Sequence, residues 1–325
     1  MKNIFITGIT GQDGLFLTSK ILDSEENIKI FANSRSNNHS IFFNKLATIS
    51  NNNFNNIEFL NIDLDNYKQA ESFLTDIKPE IIYNLSGPSS VYKSISDNGY
   101  TYKKIINIFE NIINSTLSVN GYFPSIFQSS SSEMFGENNN GEFNEDSSLL
   151  PLTPYAEAKY KNHLKVLELS NKGLNIKSGI MFNHESEFRT NEYLIMKIIN
   201  STINIKNKKE KKLTLGSLNQ VRDWTFAGDV TDAIYKITNL GSSDSYVIGA
   251  GRSNEIKDIV KIVFAYFNLD WEEFVEEDNK LLRDGSLKKV IANPQKITKE
   301  LGWEAKLSFE DLILRCIEKK YTAKG

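Results

Sequence analysis

A chain of 325 residues, 40% hydrophobic and 24% charged, is long enough for one large α/β unit or for two domains sharing a cleft, and has the composition of a soluble globular protein. Its formal net charge of −3 excludes a generally basic surface for nucleic acid or anionic membrane, so any anion site must be a local cluster of Lys and Arg. The one cysteine, Cys316, excludes an internal disulfide; no apolar run reaches membrane-spanning length, and no signal peptide is read at the N-terminus, so a cytoplasmic location is expected.

In chain order, short apolar runs alternate with helical patterns, which predicts an α/β fold: a Rossmann-type, doubly wound parallel sheet. Strands are predicted at Asn3–Thr7, Ile28–Asn33, Ile57–Asn61, Ile81–Leu85, Ser125–Ser130 and Ile176–Phe182. Between them lie helices at about Gly14–Ser24, Tyr67–Ile77, Tyr100–Ser118 and Pro154–Ser170, the last opened by a proline whose missing N–H costs nothing there. Beyond Phe182 come separate elements at Tyr193–Ile205, Lys212–Leu215, Arg222–Phe226, Asp229–Leu240, Tyr246–Ile248, Ile256–Phe267 and Phe309–Lys320. The expected division is a nucleotide-binding domain over 1–180 and a smaller substrate-binding lobe over 181–325, with the chain free to cross between them more than once.

Gly8, Gly11 and Gly14, in Gly8-Ile9-Thr10-Gly11-Gln12-Asp13-Gly14, follow the first strand and open the first helix. Such glycines let the backbone turn tightly and approach a pyrophosphate, which then sits on free N–H groups at the positive helix end. At the end of the second strand an NAD site usually places Asp or Glu; here Asn33-Ser34-Arg35-Ser36 offers a guanidinium and hydroxyls that suit the 2′-phosphate of NADP. Asp63-Leu64, after the third strand, is placed to hold an adenine by its amine and an apolar contact.

The chemistry is concentrated in Ser129-Ser130-Ser131-Ser132-Glu133-Met134-Phe135-Gly136 and Tyr155-Ala156-Glu157-Ala158-Lys159. Tyr155 and Lys159 share a helix face, and an ammonium there, with the charge of an oxidised nicotinamide, is expected to lower a phenol pKa that is ordinarily about 10. Ser131 would share the hydrogen bond to the substrate oxygen that Tyr155 deprotonates. Oxidation at a sugar C4 needs no more than these groups. Eliminating water also requires a base at C5 and an acid at C6, and one carboxylate, Glu133, can be both.

These motifs resemble the extended short-chain dehydrogenase/reductase superfamily, and within it the GDP-mannose 4,6-dehydratase family. Tyr83-Asn84-Leu85, Phe182-Asn183-His184-Glu185-Ser186, Leu215-Gly216 with Arg222-Asp223-Trp224, and Leu301-Gly302-Trp303 fall in that family's order, so the likeness covers nearly the whole chain. The resemblance implies that Ser131, Glu133, Tyr155 and Lys159 are catalytic. It implies NADP contacts from Gly8, Thr10, Gly11, Gln12, Asp13, Gly14, Arg35, Asp63, Leu64, Leu85, Ser86, Gly87, Pro88, Ser89, Tyr100, Lys159, His184 and Arg189. Ser131, Glu133, Asn183, Lys197, Arg222 and Arg283 would face a nucleotide-diphosphate sugar, the cations clamping its diphosphate. No His, Cys and carboxylate cluster has metal-site spacing, so no metal is expected, and His184 reads as a cofactor contact.

The family's Thr is Ser131 here, its Pro-Arg-Arg-Gly is Glu187-Phe188-Arg189-Thr190, its His is missing from Ser86-Gly87-Pro88-Ser89-Ser90, and an acidic residue near Arg283 is replaced at Ser286. These departures keep oxidation and elimination and leave the base and the sugar, hexose or heptose, open. The implied reaction oxidises C4, removes water across C5 and C6, and reduces C6 with the same NADP. The alternative is an NADP-dependent nucleotide-sugar epimerase or 4-reductase. Apolar positions on the helices around Tyr100–Ser118 and Pro154–Ser170 point to a homodimer or homotetramer.

Overall fold

The computed structural model describes residues 1–34, 38–136, 141–281 and 289–322. The strands β1 (Lys2–Thr7), β2 (Ile28–Asn33), β3 (Ile57–Leu60), β4 (Ile81–Asn84) and β5 (Ser125–Ser131) alternate with helices α1 (Gln12–Ser24), α2 (Ser40–Leu46), α3 (Tyr67–Ile77), α4 (Val91–Ser94) and α5 (Tyr100–Leu117). Local chemistry sets several of these boundaries. The Asn66 side chain accepts from Gln69 N–H to start α3, and Lys78 in the left-handed region ends it. Thr153 accepts from Ala156 N–H, with Pro154 behind it, to start α6 (Pro154–Asn171).

Strand β6 (Gly141–Phe143) precedes α6; after it come β7 (Ile176–Met181), β8 (Asn183–Glu185), α7 (Leu194–Lys206), β9 (Leu213–Leu215), β10 (Val221–Arg222), β11 (Trp224–Phe226) and α8 (Ala227–Leu240). The chain then runs through β12 (Ser245–Ile248), β13 (Asn254–Glu255), α9 (Ile256–Tyr266), α10 (Trp271–Phe274), β14 (Val275–Glu277), β15 (Lys289–Ala292), α11 (Gln295–Leu301) and α12 (Phe309–Thr322).

Seven strands form one parallel sheet in the order β12-β7-β5-β4-β1-β2-β3. Helices α1 and α8 cover one face, in a core with Ile4, Ile6, Ile30 and Tyr83; α3, α5 and α6 cover the other, with Phe5, Ile82 and Ile126. Two covered faces explain why β1 and β4 read as continuous apolar runs. The winding reverses between β1 and β4, which places a crevice at the carboxyl ends of the strands. The seventh strand, β12, comes from beyond residue 180, so the chain re-enters this sheet after building part of the smaller lobe. That lobe has its own core, in which α7, α9 and α12 pack around Trp224.

The stretch Arg222–Phe226, expected as one strand, is two. Arg222 pairs with β13 and β15, whereas Trp224–Phe226 pairs with β8. The break is at Asp223, whose buried carboxylate turns inward to accept N–H groups of Ala250 at 3.1 Å, Gly251 at 2.8 Å and Ala292 at 3.2 Å. Burial pushes this carboxyl up to about 6 despite those bonds. Asp223→Ala leaves three amides without their acceptor, two of them only partly buried, and should cost at least about 3 kcal/mol, at about 1–3 kcal/mol per buried group. A urea midpoint equal to wild type would show that the amides find other acceptors.

Candidate active site

The phosphate-loop glycines are demanded by their surroundings. Gly8 has φ +71°, and a Cβ there would lie 3.0 Å from the Leu85 carbonyl oxygen; a Cβ on Gly14 would lie 2.4 Å from the Ile9 backbone. Gly11 N–H donates to Gly8 O at 3.0 Å, and Gly11 then caps α1, with Thr10 exposed beside it. Gln12 is turned inward: its Nε2 donates to His184 O at 3.0 Å and its Oε1 accepts from Ser186 Oγ at 2.9 Å. Its side chain therefore ties the loop to β8.

A cavity of about 560 Å³ opens at the carboxyl ends of the strands. Asp13, Leu85, Ser86, Gly87, Ser89, Ser131, Glu133, Tyr155, Lys159, Asn183, His184, Arg189, Lys197 and Arg222 all line it. Both lobes and both expected functions, cofactor and sugar, thus meet in one space. Other expected contacts lie outside its wall. Asp63 is held by Lys104 Nζ at 3.4 Å, and Tyr100 is an exposed residue at the start of α5. Leu64, expected to give an adenine an apolar contact, is 2% exposed and belongs to the core cluster with Phe5, Phe31 and Phe73. Arg35 and Arg283 lie outside the described residues.

At the reaction end, Ser131 closes β5 and caps a single 3-10 turn, Ser132–Phe135, by accepting Glu133 N–H at 3.3 Å. The turn carries the Glu133 side chain into the cavity and anchors Met134 and Phe135 in an apolar cluster. Gly136 ends it at φ +53°, ψ −130°. Tyr155 and Lys159 project from α6 into the cavity that Ser131 also lines. Burial is the largest influence on Tyr155 and pushes it up to about 12, with the Glu133 charge adding to the rise and the Ser131 hydroxyl opposing it. The expected lowering of the phenol is therefore not produced by these side chains. The Lys159 ammonium donates to Ser129 O at 2.8 Å and Ser129 Oγ at 3.1 Å, and sits 5.8 Å from the Tyr155 ring centre. Burial lowers Lys159 to about 8, against the opposing charge of Asp13.

His184 Nδ1 lies 2.7 Å from Phe182 O and its Nε2 3.1 Å from Asp13. Two acceptors on one ring require two donors, so the geometry is that of an imidazolium. Burial alone would lower His184, but the Asp13 carboxylate outweighs it and holds the ring above its ordinary value. Arg189 stacks 3.7 Å above the Tyr193 ring and lies 3.5 Å from buried Glu185. Lys197 donates to Thr214 O at 3.1 Å, and Arg222 to Val221 O at 2.8 Å and Gln220 Oε1 at 3.4 Å.

Two contacts that the sequence does not reveal cross the cavity mouth. Ser89 Oγ and Tyr193 Oη are 2.8 Å apart, and Lys93 Nζ lies 2.7 Å from Glu192. No periodicity or motif marks pairs about a hundred positions apart. By contrast, the role of Gly136 is visible in Ser-Glu-Met-Phe-Gly, once the turn that carries Glu133 is understood to need a left-handed exit.

A profile of the family described as GDP-mannose 4,6 dehydratase matches residues 5–316. The chain belongs to this family. The family is one of hydro-lyases, which makes the chain an enzyme of that class. It is 29% identical over 323 residues to GDP-mannose 4,6 dehydratase 1 of Arabidopsis thaliana, covering 98% of this chain and 89% of that one. Its fold is similar to dTDP-glucose 4,6-dehydratase of Bacillus anthracis in complex with NAD, at TM-score 0.82 and 20% identity over 99% of this chain and 97% of that one. It is also similar to UDP-glucose 4-epimerase of Thermotoga maritima with UDP-glucose, at TM-score 0.84 and 19% identity over 99% and 100%.

A Cβ on Gly136 would lie 1.5 Å from the Leu150 carbonyl oxygen, in a conformation that L-residues rarely adopt. Gly136→Ala should therefore cost about 1–3 kcal/mol and displace the Glu133 turn. A thermal unfolding midpoint equal to wild type would show that the Leu150 segment gives way instead.

Proposed function

We propose that this enzyme is a nucleotide-sugar 4,6-dehydratase that converts GDP-mannose, or a related GDP-linked hexose or heptose, to the 4-keto-6-deoxy sugar nucleotide and water, with NADP as a recycled hydride carrier. The observation that carries the reading is Glu133, a carboxylate that faces the same cavity as Ser131, Tyr155 and Lys159. A reductase or epimerase at C4 has no need of that group.

The nucleotide end fits a dinucleotide. Gly8 and Gly14 let the loop turn hard against the Leu85 and Ile9 backbones at the start of α1, and Asp13, Leu85, Ser86, Gly87, Ser89, His184 and Arg189 border the cavity. The loop from Gly8 to Gly14 and the positive end of α1 would hold the pyrophosphate, and Arg35 the 2′-phosphate, with Thr10, Asp63 and Tyr100 toward the adenosine. NADP held there would supply a reversible hydride acceptor, so that no outside oxidant or reductant is needed.

The protein's own part is the proton chemistry. Ser131 and Tyr155 hold the C4 hydroxyl between them, and Tyr155 Oη takes its proton as C4 becomes a ketone. The phenol's raised value means that this step depends on positive charge close by, which Lys159 and the oxidised nicotinamide carry. The ketone acidifies C5–H; Glu133 removes that proton and gives one to the hydroxyl leaving C6, so that one water departs. Loss of water leaves a C5–C6 double bond; C6 then takes back the hydride removed from C4 and C5 takes the proton held by Tyr155, so C4 stays a ketone, C6 is reduced and the redox change is internal. Asn183, Lys197 and Arg222, with Arg283, would hold the sugar nucleotide, the cations meeting its diphosphate.

Leu117 on α5 and Leu164 on α6 are 54% and 44% exposed, apolar positions that a homodimer or homotetramer built on these helices would cover. Light scattering should show an oligomer, and a monomer at high concentration would end that proposal.

Incubation with nucleotide sugars should yield a product lighter by one water, with the GDP-linked sugars preferred. Glu133→Gln keeps the size of the side chain and loses the base, so product formation should fall by about 10²–10⁴-fold. Tyr155→Phe should stop the sequence at C4 oxidation. A Glu133→Gln variant that forms product at the wild-type rate would make Glu133 structural and remove the dehydratase reading. The nucleotide released on denaturation should be NADP; recovery of NAD alone would demote Arg35 to a surface residue.

A further inference from the structure

Lys159 is 6% exposed, and two of its three ammonium donors go to one residue. The acceptors are the carbonyl and the hydroxyl of Ser129, itself 3% exposed at the end of β5. A buried ammonium keeps its charge only where acceptors replace lost water, and each acceptor removed favours the neutral amine. Ser129 is held in turn. Gln128 Nε2 donates to the same Ser129 carbonyl at 2.9 Å, and Gln128 Oε1 accepts from Asn84 Nδ2 at 2.7 Å. Asn84 Oδ1 accepts from Thr7 Oγ at 2.8 Å, and Thr7 Oγ accepts the N–H groups of Leu85 and Ser86 at 3.0 Å each.

We propose that Ser129 is a positioning residue, which by its hydroxyl and carbonyl together fixes the Lys159 ammonium on the Tyr155 face of α6 and keeps it charged. The hydroxyl is the separable part, since every residue at 129 has a carbonyl. Among the described residues the charged or titratable groups that act on or lie beside the ammonium include Asp13 from α1, itself paired with His184 from β8, and Tyr155 on the same helix, while Glu133 after β5 lines the same cavity. Of these, Asp13 is the one that opposes the lowering of Lys159 by burial.

The proposal gains its catalytic meaning from the role given above to Lys159, but its test does not depend on that role. The protein is prepared with lysine enriched in carbon-13 at Cε, the Lys159 signal is identified by its loss in Lys159→Arg, and the signal is titrated with pH. The wild-type midpoint should lie at about 8. In Ser129→Ala it should fall by about one unit, leaving roughly tenfold less ammonium per amine at a given pH. Ser129→Thr, which keeps the hydroxyl, should return it toward wild type. The basic limb of the pH profile for water loss should move by the same amount and in the same direction.

If Ser129→Ala does not fold, Ser129→Cys keeps the size with a weaker acceptor and should give a smaller shift of the same sign. A midpoint unchanged in a folded Ser129→Ala or Ser129→Cys protein overturns the proposal. A midpoint that moves in a protein that never releases water from any nucleotide sugar upholds the positioning role and defeats the dehydratase reading alone.

Discussion

The ammonium of Lys159 lies inside the protein, where a charge without partners costs several kcal/mol, and the carboxyl edge of the sheet is organised around supplying those partners. Where the backbone ladder between β1, β4 and β5 ends, the side chains of Thr7, Asn84 and Gln128 continue it. Each polar atom in that line has a named donor or acceptor, and a fully satisfied buried network is rigid. One end of it holds the loop that follows β4, beside the glycine turn. The other end holds Ser129, and through it Lys159. The glycine turn and Lys159 are therefore fixed to one frame.

Much of this was legible because the large sheet obeys strong local rules. Strand β1 is a continuous apolar run into Gly8, α3 spans Tyr67–Ile77 as its pattern predicts, and Pro154 marks the start of α6. The smaller lobe was harder to read. Its second sheet, ordered β13-β10-β15-β6, is made of strands of two to four residues, too short to display a period, and they come from widely separated parts of the chain. Asp223 interrupts an apolar stretch for a tertiary reason, its three amide partners, that no local pattern contains. Helix α2 is seven residues with Ile41, Phe42 and Phe43 in a row, so its pattern fits strand and helix equally. In the site, residue types and spacing revealed Ser131, Glu133, Tyr155 and Lys159. The raised phenol and the direction of the Lys159 ammonium depend on burial and on Ser129, which are properties of the folded state.

The departures from the family pattern after Ser186 have a structural account. The side chain of Glu187 is 3% exposed and makes a two-pronged pair with Arg315 of α12, at 2.9 Å and 2.6 Å. Phe188 packs 5.5 Å from Phe16 on α1, with Lys45 above it. The first change ties the segment to the C-terminal helix and the second ties it to the first helix, so Arg189 projects into the cavity from a stretch held on both sides.

The contacts across the cavity mouth bear on how a ligand enters. Lys93 and Glu192 are 64% and 52% exposed, and their attraction passes through water and falls away as salt is added. Ser89 and Tyr193 form an uncharged pair on which salt has little hold. The threshold of the cleft thus has one ionic fastening and one neutral one. Raising the ionic strength therefore loosens the first and leaves the second, so in high salt the segments carrying Ser89 and Tyr193 stay joined by the neutral pair alone.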